Sequence, residues 1–232
     1  MWPRIITFDC YGTLVRWPET LRAAFDSLLP ASADGARFHK DFSEFHVQLK
    51  NEPYRPYSEV LRLALERAML KWQLGNVAAA QELLLRSIRA IPPYAEVVPA
   101  LRSISRRFRI AIISNTEDAL IQDTVRGLEI GCEVITAEQA RAYKPDHRLF
   151  AYAHQRLGVG AEEVLHVGAG YATDMVPAFE LGLARVWINR RGERADSSMP
   201  PTAELPDLSK LEPMIATIAR DRAARSGRTE GG

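Results

Sequence analysis

The pattern of apolar and polar positions divides the chain into three regimes. Arg4–Phe8 is a short, β-favouring run that breaks at Asp9-Cys10-Tyr11-Gly12-Thr13. It predicts a buried strand ending in a tight loop. From about Thr20 to Ile91 the period becomes helical. Leu21, Phe25, Leu28 and Leu29 share one face, and Leu61, Ala64, Leu65, Ala68 and Trp72 share another; Val77–Ile88 is rich in Ala and Leu. No strand pattern interrupts this block, which predicts a helical insert. Pro92-Pro93 ends it, because neither residue continues a helix. Beyond the prolines, strand candidates Ile110–Ser114, Cys132–Thr136, Val164–Val167 and Arg185–Ile188 alternate with helical segments near Val98–Arg106, Ala119–Arg126, Arg148–Leu157 and Met175–Leu181.

Alternation of short strands with helices predicts an α/β fold: a doubly wound, mostly parallel sheet with helices on both faces. The core is expected from residues 1–14 and 93–220, with the helical insert at 15–92 after the first strand. The tail from Asp221 to Gly232 is polar and ends in glycines, and is expected to fray. Ligands of such sheets bind beyond the carboxyl ends of the strands. Asp9, Ser114 and the Gly168 region all follow strand candidates, so the topology can bring them together.

Composition narrows the partners. The chain has 232 residues, 47% hydrophobic and 25% charged, with a formal net charge of +1. Such balance offers no basic field for nucleic acid. No stretch approaches the roughly 18 apolar residues of a membrane span, and Met1–Asp9 lacks the apolar region of a signal peptide. A cytoplasmic location is the expectation. Cys10 and Cys132 cannot frame a disulfide scaffold. A nucleophilic Cys10 has no His or Cys near it in sequence, so two reduced thiols are expected.

Four segments carry candidate chemistry. Phe8-Asp9-Cys10-Tyr11-Gly12-Thr13-Leu14 places a carboxylate at a strand end, with Gly12 free to take an unusual backbone angle and Thr13 offering a hydroxyl to orient it. Ile113-Ser114-Asn115-Thr116 supplies hydroxyl, amide and backbone N–H groups for an anionic substrate group. Tyr143-Lys144-Pro145-Asp146 suggests a positioned ammonium. Val164–Asp174 reads as a strand, a glycine-containing turn and a carboxylate. Taken singly, each has a bland alternative: a strand-to-loop turn, a helix cap, a surface lysine. Gly168-Ala169-Gly170-Tyr171-Ala172-Thr173 fails as a dinucleotide fingerprint, since Thr173 occupies the third glycine position. His39, His46, His147, His154 and His166 show no zinc-ligand spacing. No Gly-x-Ser-x-Gly elbow is present.

In this order, the four segments resemble the haloacid dehalogenase superfamily over residues 4–14 and 93–195, and Phe-Asp-x-Tyr-Gly-Thr-Leu resembles its L-2-haloacid dehalogenase branch. The resemblance implies a hydrolase of a small 2-substituted carboxylic acid, acting without metal or cofactor. Asp9 would attack the α-carbon and form an aspartyl ester that water hydrolyses. Thr13 would orient Asp9, Lys144 would keep it ionised, and Asp174 would position Lys144 or the water. Tyr11, Ser114 and Asn115 would contact substrate, and the helical insert would close over it as a cap. Dimerisation through the cap rests on the resemblance alone.

Departures from the pattern are informative. Phosphatases of the superfamily carry a second Asp where Tyr11 stands, and a Mg²⁺-binding Asp where Ala169 stands. Mg²⁺ prefers carboxylate oxygens, so it enters only with a phosphatase alternative. The dehalogenases usually have Ser-Ser-Asn where this chain has Ala169-Gly170-Tyr171, and a Tyr where it has Phe150. Their halide-binding cap arginine has no assured counterpart among Arg16, Arg22, Arg37 and Arg55. Phe-Asp-Cys-Tyr-Gly-Thr-Leu and Asp174-x-x-Pro177 also resemble a small branch that opens azetidine-2-carboxylate, where the leaving group is a ring amine. A binding protein on a decayed catalytic fold is the non-enzyme alternative.

Overall fold

The computed structural model describes residues 2–229, with side chains as far as residue 225. Strands β1 (Ile5–Phe8), β2 (Arg109–Ser114), β3 (Glu133–Thr136), β4 (Val164–Gly168), β5 (Ala184–Ile188) and β6 (Ala203–Leu205) form one sheet in the order β3-β2-β1-β4-β5-β6. Every pairing is parallel. The chain leaves β1 toward β2 on one side and later returns to β4 on the other. That reversal opens a crevice at the carboxyl ends of β1, β2 and β4.

Alternation along the strands separates two apolar layers. Ile5, Ala111, Ile113 and Val164 pack on one face, with Leu149, Phe150, Ala153 and Leu157 of α8 (His147–Leu157) and Ala178 of α9 (Val176–Glu180). Ile6, Phe8, Ile110, Ile112, Leu165 and Val167 face the other way, against α5 (Val97–Ser105), α6 (Asp118–Gly127) and α10 (Leu211–Thr229). A short α7 (Ala137–Ala140) follows β3. The period of two sends neighbouring side chains to opposite faces. Each fully buried aliphatic side chain contributes about 1.5–3 kcal/mol.

Between β1 and Pro92 lie four helices: α1 (Trp17–Asp26), α2 (Gly35–Lys50), α3 (Tyr57–Lys71) and α4 (Val77–Arg89). Their apolar stripes meet, with Phe25 against Phe38 and Phe42 at ring-centroid separations of 5.3 and 4.8 Å. Asp41 is buried among them, accepting from Lys71 Nζ and Trp72 Nε1, each at 2.8 Å. Hydrogen bonds tie the layer to the sheet side. Tyr143 Oη donates to Arg55 O at 2.8 Å, and Glu117 accepts from the backbone N–H and hydroxyl of Ser58.

Two elements depart from the sequence expectation. The tail expected to fray from Asp221 is helical as far as Thr229, while residues 230–232 lie outside the described residues. Leu211, Ile215 and Ile218 carry α10 onto the sheet at helical spacing. Strand β6, only three residues long, has no periodicity to announce it. Among the described residues, no helix is long and apolar enough to cross a membrane.

Phe25 is 1% exposed and touches three further rings, those of Phe38, His39 and Phe42. Replacing Phe25 with Ala should lower stability by about 3–5 kcal/mol, read as the shift of the urea midpoint. A second expectation concerns pH. Burial holds His46 well below its ordinary value of 6.5, and His39 and His154 are lowered for the same reason. A depressed folded-state value contributes stability above the unfolded pKa that is lost as pH falls below it. The urea midpoint should therefore drop between about pH 7.5 and about pH 5.5. His46→Phe should shrink that drop, and an unchanged drop would assign it to other groups.

Candidate active site

β1 ends in the sequence Asp9-Cys10-Tyr11-Gly12-Thr13, and Gly12 takes φ +89°, a left-handed angle that suits glycine. The turn is closed by bonds from the N–H groups of Thr13, Leu14 and Val15 to Cys10 O. It folds Thr13 back under Asp9, and the Thr13 hydroxyl donates to Asp9 Oδ2 at 2.6 Å. Ala169 N in turn donates to Thr13 Oγ1 at 2.8 Å, tying the turn to the end of β4. Arg190, just past β5, donates to Thr13 O at 2.8 Å and also pairs with Glu96.

Lys144 reaches the same point from the loop before α8. Its ammonium has three donors and uses all of them: Asp9 Oδ1 at 2.8 Å, Asp174 Oδ1 at 2.6 Å and Ile113 O at 2.9 Å. The side chain is 2% exposed. A buried ammonium is sustained only where acceptors replace its water, and the two carboxylates do so.

Asp174 sits in the one-turn π-helix that links β4 to α9. Beyond Lys144, it accepts from Gly170 N at 3.1 Å and Thr173 Oγ1 at 3.3 Å. His166 Nε2 lies 3.3 Å from Asp174 Oδ1, and His166 Nδ1 lies 2.9 Å from Thr7 Oγ1. With the proton on Nε2, the imidazole donates to Asp174 and accepts from Thr7. Glycine at 168 is required by close approach, since a Cβ there would meet Asp174 Cβ and Cγ at 2.7 Å.

The charges are not distributed as the sequence alone suggests. Asp174 is held down at about 2, where Lys144 and His166 outweigh its burial. Asp9 moves the other way. Burial and the negative charge of Asp174 raise it above 3.8, and Lys144 and Thr13 only limit the rise. The expectation that Lys144 lowers the Asp9 pKa therefore captures one force among several. The net direction is upward because burial, joined by the charge of Asp174, outweighs the single ammonium. Cys10 is fully buried and its thiol is pushed well up, chiefly by burial, which leaves it inert beside Asp9.

Asp9 opens on a cavity of about 130 Å³, lined from the sheet side by Tyr11, Ser114, Asn115, Lys144 and Asp174. Every residue singled out from sequence as catalytic or substrate-binding is thus in or directly behind one wall. Ser114 Oγ is buried without a hydrogen-bond partner. Two residues carry bonds that no local pattern announces. The Asn115 side chain binds the Lys144 backbone, accepting from its N at 2.6 Å and donating to its O at 3.0 Å, and it also lines the cavity. Tyr11 presents its ring to the cavity, while its hydroxyl pairs with Thr124 Oγ1 at 3.2 Å.

The helical layer supplies the opposite wall: Trp17, His46, Lys50 and Tyr57. None of Arg16, Arg22, Arg37 and Arg55 lines the cavity. His46 and Lys50 were invisible in sequence because one helical turn of α2 brings them to the site, and no motif surrounds them. His166 and Thr7 were likewise legible only as strand residues. Their alternate positions on β4 and β1 face α8 and put them in register.

The family of haloacid dehalogenase-like hydrolases matches residues 3–182. The chain is 25% identical over 221 residues to (S)-2-haloacid dehalogenase 4A of Burkholderia cepacia, covering 92% of this chain and 95% of that one. Over 221 residues it is 29% identical to the (S)-2-haloacid dehalogenase of Pseudomonas sp. strain YL, with the same shares covered, 92% and 95%. A crystal structure of an L-2-haloacid dehalogenase shares the fold with a TM-score of 0.83, at 24% identity and covering 93% of this chain and all of that one. A family match spanning most of the sequence, on the sheet and turn that hold Asp9, places this chain in the haloacid dehalogenase-like hydrolase family.

Proposed function

We propose that the protein is a metal-independent hydrolase of small 2-substituted carboxylic acids, similar to a 2-haloacid dehalogenase, acting through a covalent ester on Asp9. One observation carries the reading. Asp9 is a carboxylate with both oxygens oriented, by Lys144 and Thr13, at the wall of a small cavity. That is the arrangement of a nucleophile rather than of a structural ion pair. Two of the similar proteins, those of Burkholderia cepacia and Pseudomonas sp. strain YL, are named (S)-2-haloacid dehalogenases.

In this reading the substrate carboxylate meets the unpartnered Ser114 hydroxyl. An Asp9 oxygen attacks the α-carbon, and the carbon–halogen bond breaks with its electron pair leaving on the halide. Water then attacks the ester carbonyl, releasing the 2-hydroxy acid and restoring Asp9. Asp174 has both oxygens engaged, which supports a role in holding Lys144 rather than in activating water. Helices α1–α4 act as a cap that excludes bulk water, which strengthens the electrostatics inside.

Other readings fit less well. A phosphatase needs carboxylates where Tyr11 and Ala169 stand, and among the described residues no three His, Cys, Asp or Glu side chains converge to hold a metal. The ammonium of Lys144 already occupies the space between Asp9 and Asp174. A ring amine such as that of azetidine-2-carboxylate is cationic near neutrality and would face Lys50.

Two tests follow. Asp9→Asn should reduce halide release from (S)-2-chloropropionate by at least about 10⁴-fold, and EDTA should leave the wild type unchanged. A single turnover in ¹⁸O-water should place the label in Asp9, read by peptide mass; label in the product alone would mean direct attack by water. Lys144→Met should lower activity by about 10³-fold or more. It should also move the acidic limb of the residual activity to higher pH, because the unshielded carboxylates raise Asp9 further. An acidic limb that stays in place would remove Lys144 from the control of Asp9.

A further inference from the structure

Displacement of a halide needs no acid, since the halide departs as a stable anion. A cation that only holds the halide need not lose a proton, and the resemblance implies an arginine for that task; the cap wall here carries Lys50, which can give up its proton. Lys50 ends α2 and lines the cavity, and it makes no ion pair or hydrogen bond among the described residues. His46, one turn earlier, is half-buried, and its buried Nε2 has no partner among the described residues. Every other cation that touches this cavity is saturated, as Lys144 is. A cation left unpaired at a cavity wall is stabilised when a ligand atom supplies the acceptor.

Resting on the Asp9-ester reading, we propose that Lys50 is a proton donor to the leaving group, with His46 beside it, and that the cavity therefore opens oxirane-2-carboxylate rings as well as displacing halide. The bonds balance. An Asp9 oxygen attacks the ring α-carbon, forming the ester C–O bond and breaking the Cα–O ring bond. The electron pair goes to the ring oxygen, which takes a proton from the Lys50 ammonium and becomes a hydroxyl. Water then hydrolyses the ester to glycerate, and the proton released returns to the Lys50 amine.

Four further features agree with this chemistry. An alkoxide is a poor leaving group unless protonated as it departs, and the best donor titrates near the working pH. Burial, and the charge of Lys144, hold Lys50 down to about 8, with Asp9 and Asp174 opposing. The neighbouring groups on the cap do not compete for the role. Burial keeps His46 unprotonated near neutrality and pushes the Tyr57 phenol well up. An oxygen ring is uncharged, so it can approach Lys50 where a ring ammonium is repelled. The volume also suits a compact acid: about 130 Å³ equals the liquid share of about four waters.

The test compares wild type, Lys50→Met and Lys50→Arg on (S)-2-bromopropionate and racemic oxirane-2-carboxylate, following bromide and glycerate. Wild type should form glycerate, with a rate that declines above about pH 8 as Lys50 loses its proton. Lys50→Met should lose about 10²–10⁴-fold of ring opening, a larger loss than that of bromide release, with circular dichroism showing that the variant folds. Lys50→Arg should not restore ring opening, because a guanidinium keeps its proton. Bromide release by the wild type without glycerate overturns the inference and leaves the Asp9 reading standing. Equal losses of both reactions in Lys50→Met also overturn it. Release of neither product by the wild type overturns both.

Discussion

Three acceptors converge on the ammonium of Lys144: the carboxylates of Asp9 and Asp174, and the carbonyl of Ile113. They come from the ends of β1, β4 and β2, the strands that flank the point where the chain reverses direction across the sheet. Removing the lysine would leave two buried carboxylates facing each other. Removing either carboxylate would leave an ammonium without compensation. Breaking such a buried pair costs about 3–5 kcal/mol, so the site and the centre of the sheet share their electrostatics. Around this contact the supporting bonds make sense as a scaffold. Asn115 clasps the backbone of Lys144, His166 and Gly170 hold Asp174, and Thr13 bridges Asp9 to Ala169.

An ammonium shared between two acids cannot satisfy both equally. Asp174, with four donors around it, keeps its charge down to about 2, and its charge helps to raise Asp9. Asp9 is thus the more basic of the pair and faces the open cavity. Such divergence between neighbouring carboxylates separates a reacting group from a supporting one. The same low dielectric acts on the cap wall, where Lys50 is lowered and His46 is kept neutral. Both walls derive their character from exclusion of water, which requires the helical layer and the sheet together.

Much of the core is legible in the sequence. The strands at Ile110–Ser114 and Val164–Val167 are short apolar runs ended by polar or glycine residues, and such runs fit a parallel sheet buried on both faces. The helices of the 20–91 block showed a clean period. Elements that escaped detection were those whose stability is not local. β6 is three residues paired only to β5, and α10 follows a polar composition relieved by one apolar stripe. Within the site, residues in motifs were readable because a turn such as Asp9–Thr13 brings its chemistry together over a few positions. Lys50 and His46 belong to no motif, and the arginines sought in their place point elsewhere.

The sequence by itself determined the alternation of strands and helices, the helical character of the insert and the identity of the loop groups at the strand ends. These follow from periodicity and from side-chain chemistry within short stretches. Only the tertiary structure decided which donors meet which acceptors. It turned the Asn115 amide toward Lys144, raised rather than lowered Asp9, and selected Lys50 for the cap wall. The physical reason is that distance, burial and competition for a single ammonium are properties of packing between segments more than a hundred residues apart, and no local pattern encodes them.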